Sequence, residues 1–277
     1  MTDAAPLLFD RSLLAARLAR ARALGPASFL LDRVADEMGE RLHAVLRDFN
    51  AVADIWTPGD ALPAERFPGI TRVAIDRSGD EALRLPPGSL DLAVSALALQ
   101  FANDLPGVLA QIRRALKPDG LLLAALTGGD TLTELRQAFA AAEAEIEGGV
   151  SPRVAPTADL RDLGALLQRA GFALPVTDID RVVVRYDHAF ALMQDLRRMG
   201  ATNVLVERRR TPLRRATLLR MAAIYAERFA DPDGRIRATF EIVWLSGWSP
   251  HESQQQPLKP GSAKTSLEQA VRGNQPK

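Results

Sequence analysis

The chain has 277 residues, 47% of them hydrophobic, with 35 Lys and Arg against 34 Asp and Glu. This balance excludes a global field that would draw the chain to nucleic acid or to an anionic membrane, so any basic partner site must be local. The absence of cysteine excludes disulfides, thiolate nucleophiles and Cys-ligated zinc.

The opening Met1-Thr2-Asp3-Ala4-Ala5-Pro6 has no basic stretch followed by an apolar core, so no secretory signal is expected and the predicted location is cytoplasmic. Residues 12–24 and 28–48 carry apolar positions at helical spacing among Arg and Asp, which predicts a helical cap over residues 1–50. Short apolar runs at 51–55, 72–75, 91–97 and 121–126 predict strands. Between the third and fourth, residues 105–116 predict a helix opened after Asn103-Asp104 and closed by a turn at Lys117-Pro118-Asp119-Gly120. A strand, helix, turn and strand in series is a βαβ unit, which predicts parallel neighbours in a doubly wound sheet. The stretch from Asp54 to Asp91 is too short for two full crossovers, so the sheet is expected to be shortened near its second or third strand.

Beyond that unit, residues 131–147 and 158–170 predict helices, closed by Gly148-Gly149 and by Gly171. Residues 176–186 alternate apolar and polar side chains, as a half-exposed strand does, and 237–245 form a last apolar strand. Helices at 190–199 and 213–229 lie between these two strands, within a helical insertion over 188–230. The apolar stretches at 90–102 and 121–126 fall short of the ~20 residues of a membrane span. Residues 1–250 therefore read as one domain, and 251–277, poor in apolar residues, as an extended or disordered tail.

A nucleotide-type cofactor needs glycines in the first strand-to-helix turn, where φ must be free and no side chain may block the ligand. Here that turn reads Trp56-Thr57-Pro58-Gly59-Asp60. Asp76 follows the second strand at about the spacing, ~20 residues, at which an acidic group binds a ribose diol, with an exposed turn aspartate as the other reading. Leu97, Gln100 and Phe101 end the third strand, facing the crevice where such folds bind ligands. In Gly128-Gly129-Asp130, Asp130 or Thr131 can cap the next helix, or the glycines can admit a ligand backbone. The three histidines are far apart in sequence and match no metal-binding pattern, so no metal is expected. The run 207–215 is the densest cluster of charge, and without interleaved aromatics it suits an acidic protein segment better than nucleic acid.

Residues 247–263 (GWSPHESQQQPLKPGSA) are polar and turn-rich, with no packing reason for their spelling. Together with Phe9-Asp10-Arg11, the segment 95–106 (SALALQFANDLP), Lys117-Pro118-Asp119-Gly120 and residues 128–136 (GGDTLTELR), this tail resembles the assembly factor 5 family of respiratory complex I. The resemblance implies an α/β, Rossmann-like class I S-adenosylmethionine (SAM) methyltransferase fold with an antiparallel edge pair. It also implies SAM as cofactor, a complex I subunit or assembly intermediate as partner, and peripheral contact with that membrane-bound complex. The candidate cofactor contacts are Asp54, Gly59, Asp76, Asp80, Leu97, Gln100 and Phe101. Partner contacts are expected at Arg208, Arg209, Arg210, Arg214, Arg215, Trp248 and His251; no catalytic residue is assigned. Where the family has loop glycines this chain has Trp56 and Pro58, which predicts weak or absent SAM binding. Three readings follow: a methyltransferase or arginine hydroxylase acting on a protein, a non-catalytic assembly chaperone (a pseudoenzyme), and a SAM-dependent methyltransferase of a small molecule.

Overall fold

A computed structural model of the chain describes residues 7–59, 61, 62, 67, 69–76, 78–157 and 159–255. Two helices, α1 (Arg11–Ala23) and α2 (Phe29–Ala44), precede the sheet. Asp10 starts α1 by accepting the Leu13 amide proton at 2.9 Å, which satisfies one of the free donors of a helix N-terminus. The strands β1 (Val52–Ile55), β2 (Thr71–Val73) and β3 (Leu90–Ala96) follow, then α3 (Leu105–Ala115) and β4 (Leu116–Thr127). Asp104 caps α3 on the Gly107 amide at 2.9 Å, as the sequence punctuation predicts. Next come α4 (Thr133–Glu147), α5 (Leu160–Arg169), β5 (Ala173–Tyr186), α6 (Ala189–Arg198), α7 (Arg215–Phe229) and β6 (Ile236–Trp248).

One six-stranded sheet runs in the order β2-β1-β3-β4-β6-β5. β2, β1, β3 and β4 are parallel, while β6 pairs antiparallel with both β4 and β5. The parallel neighbours and the antiparallel edge pair are those expected from the sequence. The shortening is there too: β2 has three residues, and among the described residues no helix lies between β1 and β3. The expected turn at 117–120 is instead drawn into β4 as an irregular start, with Asp119 at φ 63° and a register break opposite Leu90 and Leu92. Gly247 and Trp248, read from sequence as the start of the tail, complete β6 opposite Leu122 and Leu121. Residues 256–277 lie outside the described residues.

Both faces of the sheet are covered, so its central strands read as continuous apolar runs. Val34 and Met38 of α2, Phe139 of α4, Leu192 of α6 and Tyr225 of α7 pack on one face with Trp244. Val108 and Ile112 of α3 and Leu163 and Leu167 of α5 pack on the other. The helices α6 and α7 are the insertion between β5 and β6, and α6 meets α1 at Gly200. That residue has φ +74°, and a Cβ there would stand 2.8 Å from Leu18 Cδ2 and 3.3 Å from Leu18 Cα, so only glycine fits.

Candidate functional site

A cavity of about 640 Å³ opens above the carboxyl ends of the parallel strands, the place where doubly wound sheets bind ligands. Its floor comes from the segments after β1 (Pro58, Gly59) and β3 (Leu97, Gln100) and from the end of β4 and the segment after it (Thr127, Leu132). Helices α1, α2 and α6 and residues 199–204 supply further walls. Among the residues leaving these three strands, Trp56, Leu97 and Leu132 have φ of 65°, 50° and 55°. Left-handed conformations cost side chains of this size about 1–3 kcal/mol each and persist only where surrounding structure enforces them; Leu46, Arg84, Asp119 and Leu174 adopt them elsewhere in the fold.

Trp56 therefore takes the left-handed conformation that a loop glycine would take. Its ring is 4% exposed and packs in the core with Ala53 and Leu83 rather than lining the cavity. The Arg11 guanidinium lies over the indole, 4.0 Å from its centroid, with a side chain 1% exposed and an ion pair to Glu81 at 3.2 Å. Glu81 also accepts the amide protons of Asn103 and Asp104 at 2.8 and 2.9 Å. The Asn103 side-chain oxygen in turn receives the amides of Leu8 and Phe9 at 2.8 and 2.7 Å. Phe9-Asp10-Arg11 and Asn103-Asp104 thus form one latch that holds α1 over the strand ends. Burial pulls the Arg11 pKa down, opposed by the charges of Glu81 and Asp76.

Of the cofactor contacts expected from the sequence, Gly59, Leu97, Gln100 and Phe101 line the cavity. Asp54 does not; it is 3% exposed within β1, and burial raises its pKa to about 6 despite hydrogen bonds from Thr57. Its Oδ1 has no partner. Asp76 and Asp80 are exposed and also stand outside the cavity wall. Each accepts the amide proton two residues on, from Ser78 at 2.8 Å and Ala82 at 2.9 Å, because short carboxylates in a turn bond their own backbone.

The capping reading of Gly128-Gly129-Asp130 does not hold, and of the two glycines only Gly129 is open, a Cβ there meeting just Thr157 Oγ1 at 3.8 Å. A Cβ on Gly128 would meet Glu241 Oε1 at 2.3 Å and Val243 Cγ2 at 2.8 Å, so this glycine serves the approach of β6 rather than of a ligand. Helix α4 begins after Leu132 without a side-chain cap; Asp130 pairs with Arg181, and Thr131 bridges to the Glu241 backbone at 3.0 Å in both directions.

The expected partner contacts separate. Arg208 pairs with Asp10 at 3.1 Å, and Arg209 and Arg214 with Glu147 at 3.2 and 3.5 Å. Arg210 and Arg215 are exposed and have no ion-pair partner among the described residues. Trp248 and His251 lie at the other end of the sheet, where Arg47 covers the Trp248 ring at 5.2 Å and His251 Nδ1 meets the Ser253 hydroxyl at 2.7 Å. Sequence reasoning missed Arg153, whose guanidinium lines the cavity on the buried Glu143, Nε to Oε1 2.8 Å. It also missed that Arg11, within the Phe9-Asp10-Arg11 motif, pairs with Glu81, a contact between distant segments that leaves no local signal. Among the described residues no group of three or more His, Asp or Glu could hold a metal ion, and no helix is long and apolar enough to cross a membrane.

The family model for a methyltransferase domain matches residues 52–124, which run from β1 into β4 and include Pro58, Gly59, Leu97 and Gln100 of the cavity floor. The YcgJ protein of Bacillus subtilis superposes with a TM-score of 0.50 over 78% of this chain and 99% of its own, at 12% identity. The chain thus has the Rossmann-like class I methyltransferase fold. It is 36% identical to the arginine-hydroxylase NDUFAF5 of Rattus norvegicus over 267 residues, covering 89% of this chain and 78% of that relative. The Dictyostelium discoideum protein of the same name is 43% identical over 70% of this chain, which spans only 44% of that relative's length. A malonyl-[acyl-carrier protein] O-methyltransferase of Xylella fastidiosa is 35% identical over 78% of this chain and 77% of its own. The chain belongs to the NDUFAF5 family, the assembly factor 5 family to which its sequence motifs point.

Proposed function

We propose that this protein is a methyltransferase-like assembly factor of respiratory complex I that has kept the fold and given up ordinary SAM binding. The relatives named NDUFAF5 and the motifs in the segments 9–11, 95–106 and 247–263 support the assignment to complex I. The Arg11–Trp56 stack carries the second half. In a doubly wound sheet the nucleoside lies between the first loop and the carboxyl end of the second strand. Here that corner, between Trp56 and Asp76, holds a buried guanidinium paired with Glu81. SAM would have to displace Arg11 and break that pair, leaving a buried charge without compensation. Gly59, Leu97 and Thr127 suit the approach of a small group at the cavity floor, but the residues around Trp56 do not fit an adenosine.

In this reading the protein holds a complex I subunit or assembly intermediate at the rim formed by α1, α6 and residues 207–215. Two measurements test it. Deleting the gene in its host lowers the amount of assembled, active complex I, and normal complex I in the deletion strain refutes the assignment. Titration calorimetry with SAM gives no saturable heat for the natural chain; binding in the low micromolar range would restore the enzyme reading, with methylation of a protein or hydroxylation of an arginine as its reactions.

A further inference from the structure

The part of the cavity above its floor has an apolar side built from four helices, apart from the polar residues Thr157, Thr202 and Asn203 that also line the cavity. Leu18 of α1, Leu30 and Leu31 of α2, Leu135 of α4, and Met193 and Leu196 of α6 face it. Its charged groups are few and unevenly placed. Arg153 is engaged by Glu143, and Asp32, the one carboxylate among the lining residues described, receives the Ser28 hydroxyl at 2.7 Å. On the solvent side stand two exposed arginines. Arg22 has no ion-pair partner among the described residues, and Arg198 holds the Gly25 carbonyl oxygen through Nε at 2.7 Å, with Asp195 3.7 Å from Nη1. Helix α2 begins at the wall formed by Pro26, Ala27 and Ser28, and Ser28 makes no side-chain cap to it, which leaves amides of its first turn and the positive end of its dipole there, with Asp32 in the same turn.

A guanidinium would find two arginines and one engaged carboxylate here. The walls suit a long aliphatic chain, and the opening suits an anion. We propose that this cavity is a binding site for a single-chain amphiphile, its aliphatic tail between α1, α2 and α6 and its carboxylate or phosphate at Arg22, Arg198 and the first turn of α2. This site goes beyond the assembly role and does not depend on it.

The test is displacement of fluorescent cis-parinarate from the full chain by oleate, dodecyl phosphate and oleyl alcohol. Saturable binding at one site per chain is expected, with the alcohol about tenfold weaker than the better anion, the effect of about 1.4 kcal/mol of head-group contact. Preference between oleate and dodecyl phosphate assigns the head group. Changing Arg22→Gln together with Arg198→Gln should weaken both anions about tenfold and leave the alcohol unchanged. Filling the cavity with Leu31→Trp, or independently with Met193→Trp, should abolish binding of all three, read on whichever variant keeps its circular dichroism and unfolding midpoint. No saturable parinarate signal, equal binding of alcohol and anions, or full binding by a folded cavity-filled variant would each overturn the proposal. The readout involves the purified chain alone, so its failure is distinct from a failure of the complex I assignment.

Discussion

The guanidinium of Arg11 lies 4.0 Å above the ring of Trp56, joining the first turn of α1 to the loop that leaves β1. Neither group reaches bulk water, and Glu81 is the carboxylate paired with the cation. Removing one partner of a buried pair is far more costly than the pair is stabilising, because the remaining charge stays buried. Glu81→Gln should therefore lower the stability of the fold by about 3–5 kcal/mol. Urea unfolding of the two proteins checks this; a change below about 1 kcal/mol would mean that the stack is open to solvent.

Asp54 gives the protein a dependence on pH with a defined sign. Its folded pKa is raised to about 6 from 3.8, so the folded state holds a proton that the unfolded chain releases. The stabilisation this confers is fully present below pH 3.8 and is lost as pH rises through about 6. A difference of about two pH units corresponds to about 3 kcal/mol at most. Asp54→Asn should remove this dependence and raise stability at pH 7.5 by roughly 1–3 kcal/mol, read from urea midpoints between pH 4 and pH 8.

Gly200→Ala places a methyl group against the Leu18 backbone in a left-handed conformation. It should destabilise the contact of α1 with α6 by about 1–3 kcal/mol while leaving the sheet intact. Hydrogen exchange would then show faster exchange in α1 and the end of α6 and unchanged protection in β3 and β4.

Arg210 and Arg215 are exposed and have no ion-pair partner among the described residues, whereas Arg208, Arg209 and Arg214 answer Asp10 and Glu147. Changing Arg210→Glu together with Arg215→Glu should reduce capture of complex I subunits from host extract at low salt, with little difference at high salt and no change in Tm. Arg209→Glu should lower Tm, since it sets a carboxylate against Glu147, whose own pKa is held down first by the Thr217 hydroxyl and then by the cation.

The order of elements was legible because it rests on local chemistry. Asn103-Asp104 before an apolar helix, alternation through 176–186, and the short interval between Asp54 and Asp91 each predict their element without reference to the rest of the chain. The cavity floor was partly legible for the same reason, since residues that end parallel strands face the crevice, as Leu97 and Gln100 do. Trp56 shows where such reasoning stops. From sequence it reads as a ring blocking a ligand loop; in the fold its backbone turns left-handed and the ring enters the core under Arg11.

Composition and periodicity by themselves determined the class of fold, because hydrogen bonding and apolar burial act on neighbouring residues and repeat along the chain. The direction of each side chain, the pairing of Arg11 with Glu81 across 70 positions, and the enclosure of the cavity by α1 and α6 were decided only by tertiary structure. These depend on which surfaces meet, and charge and shape complementarity between distant segments leaves no periodic trace in the sequence.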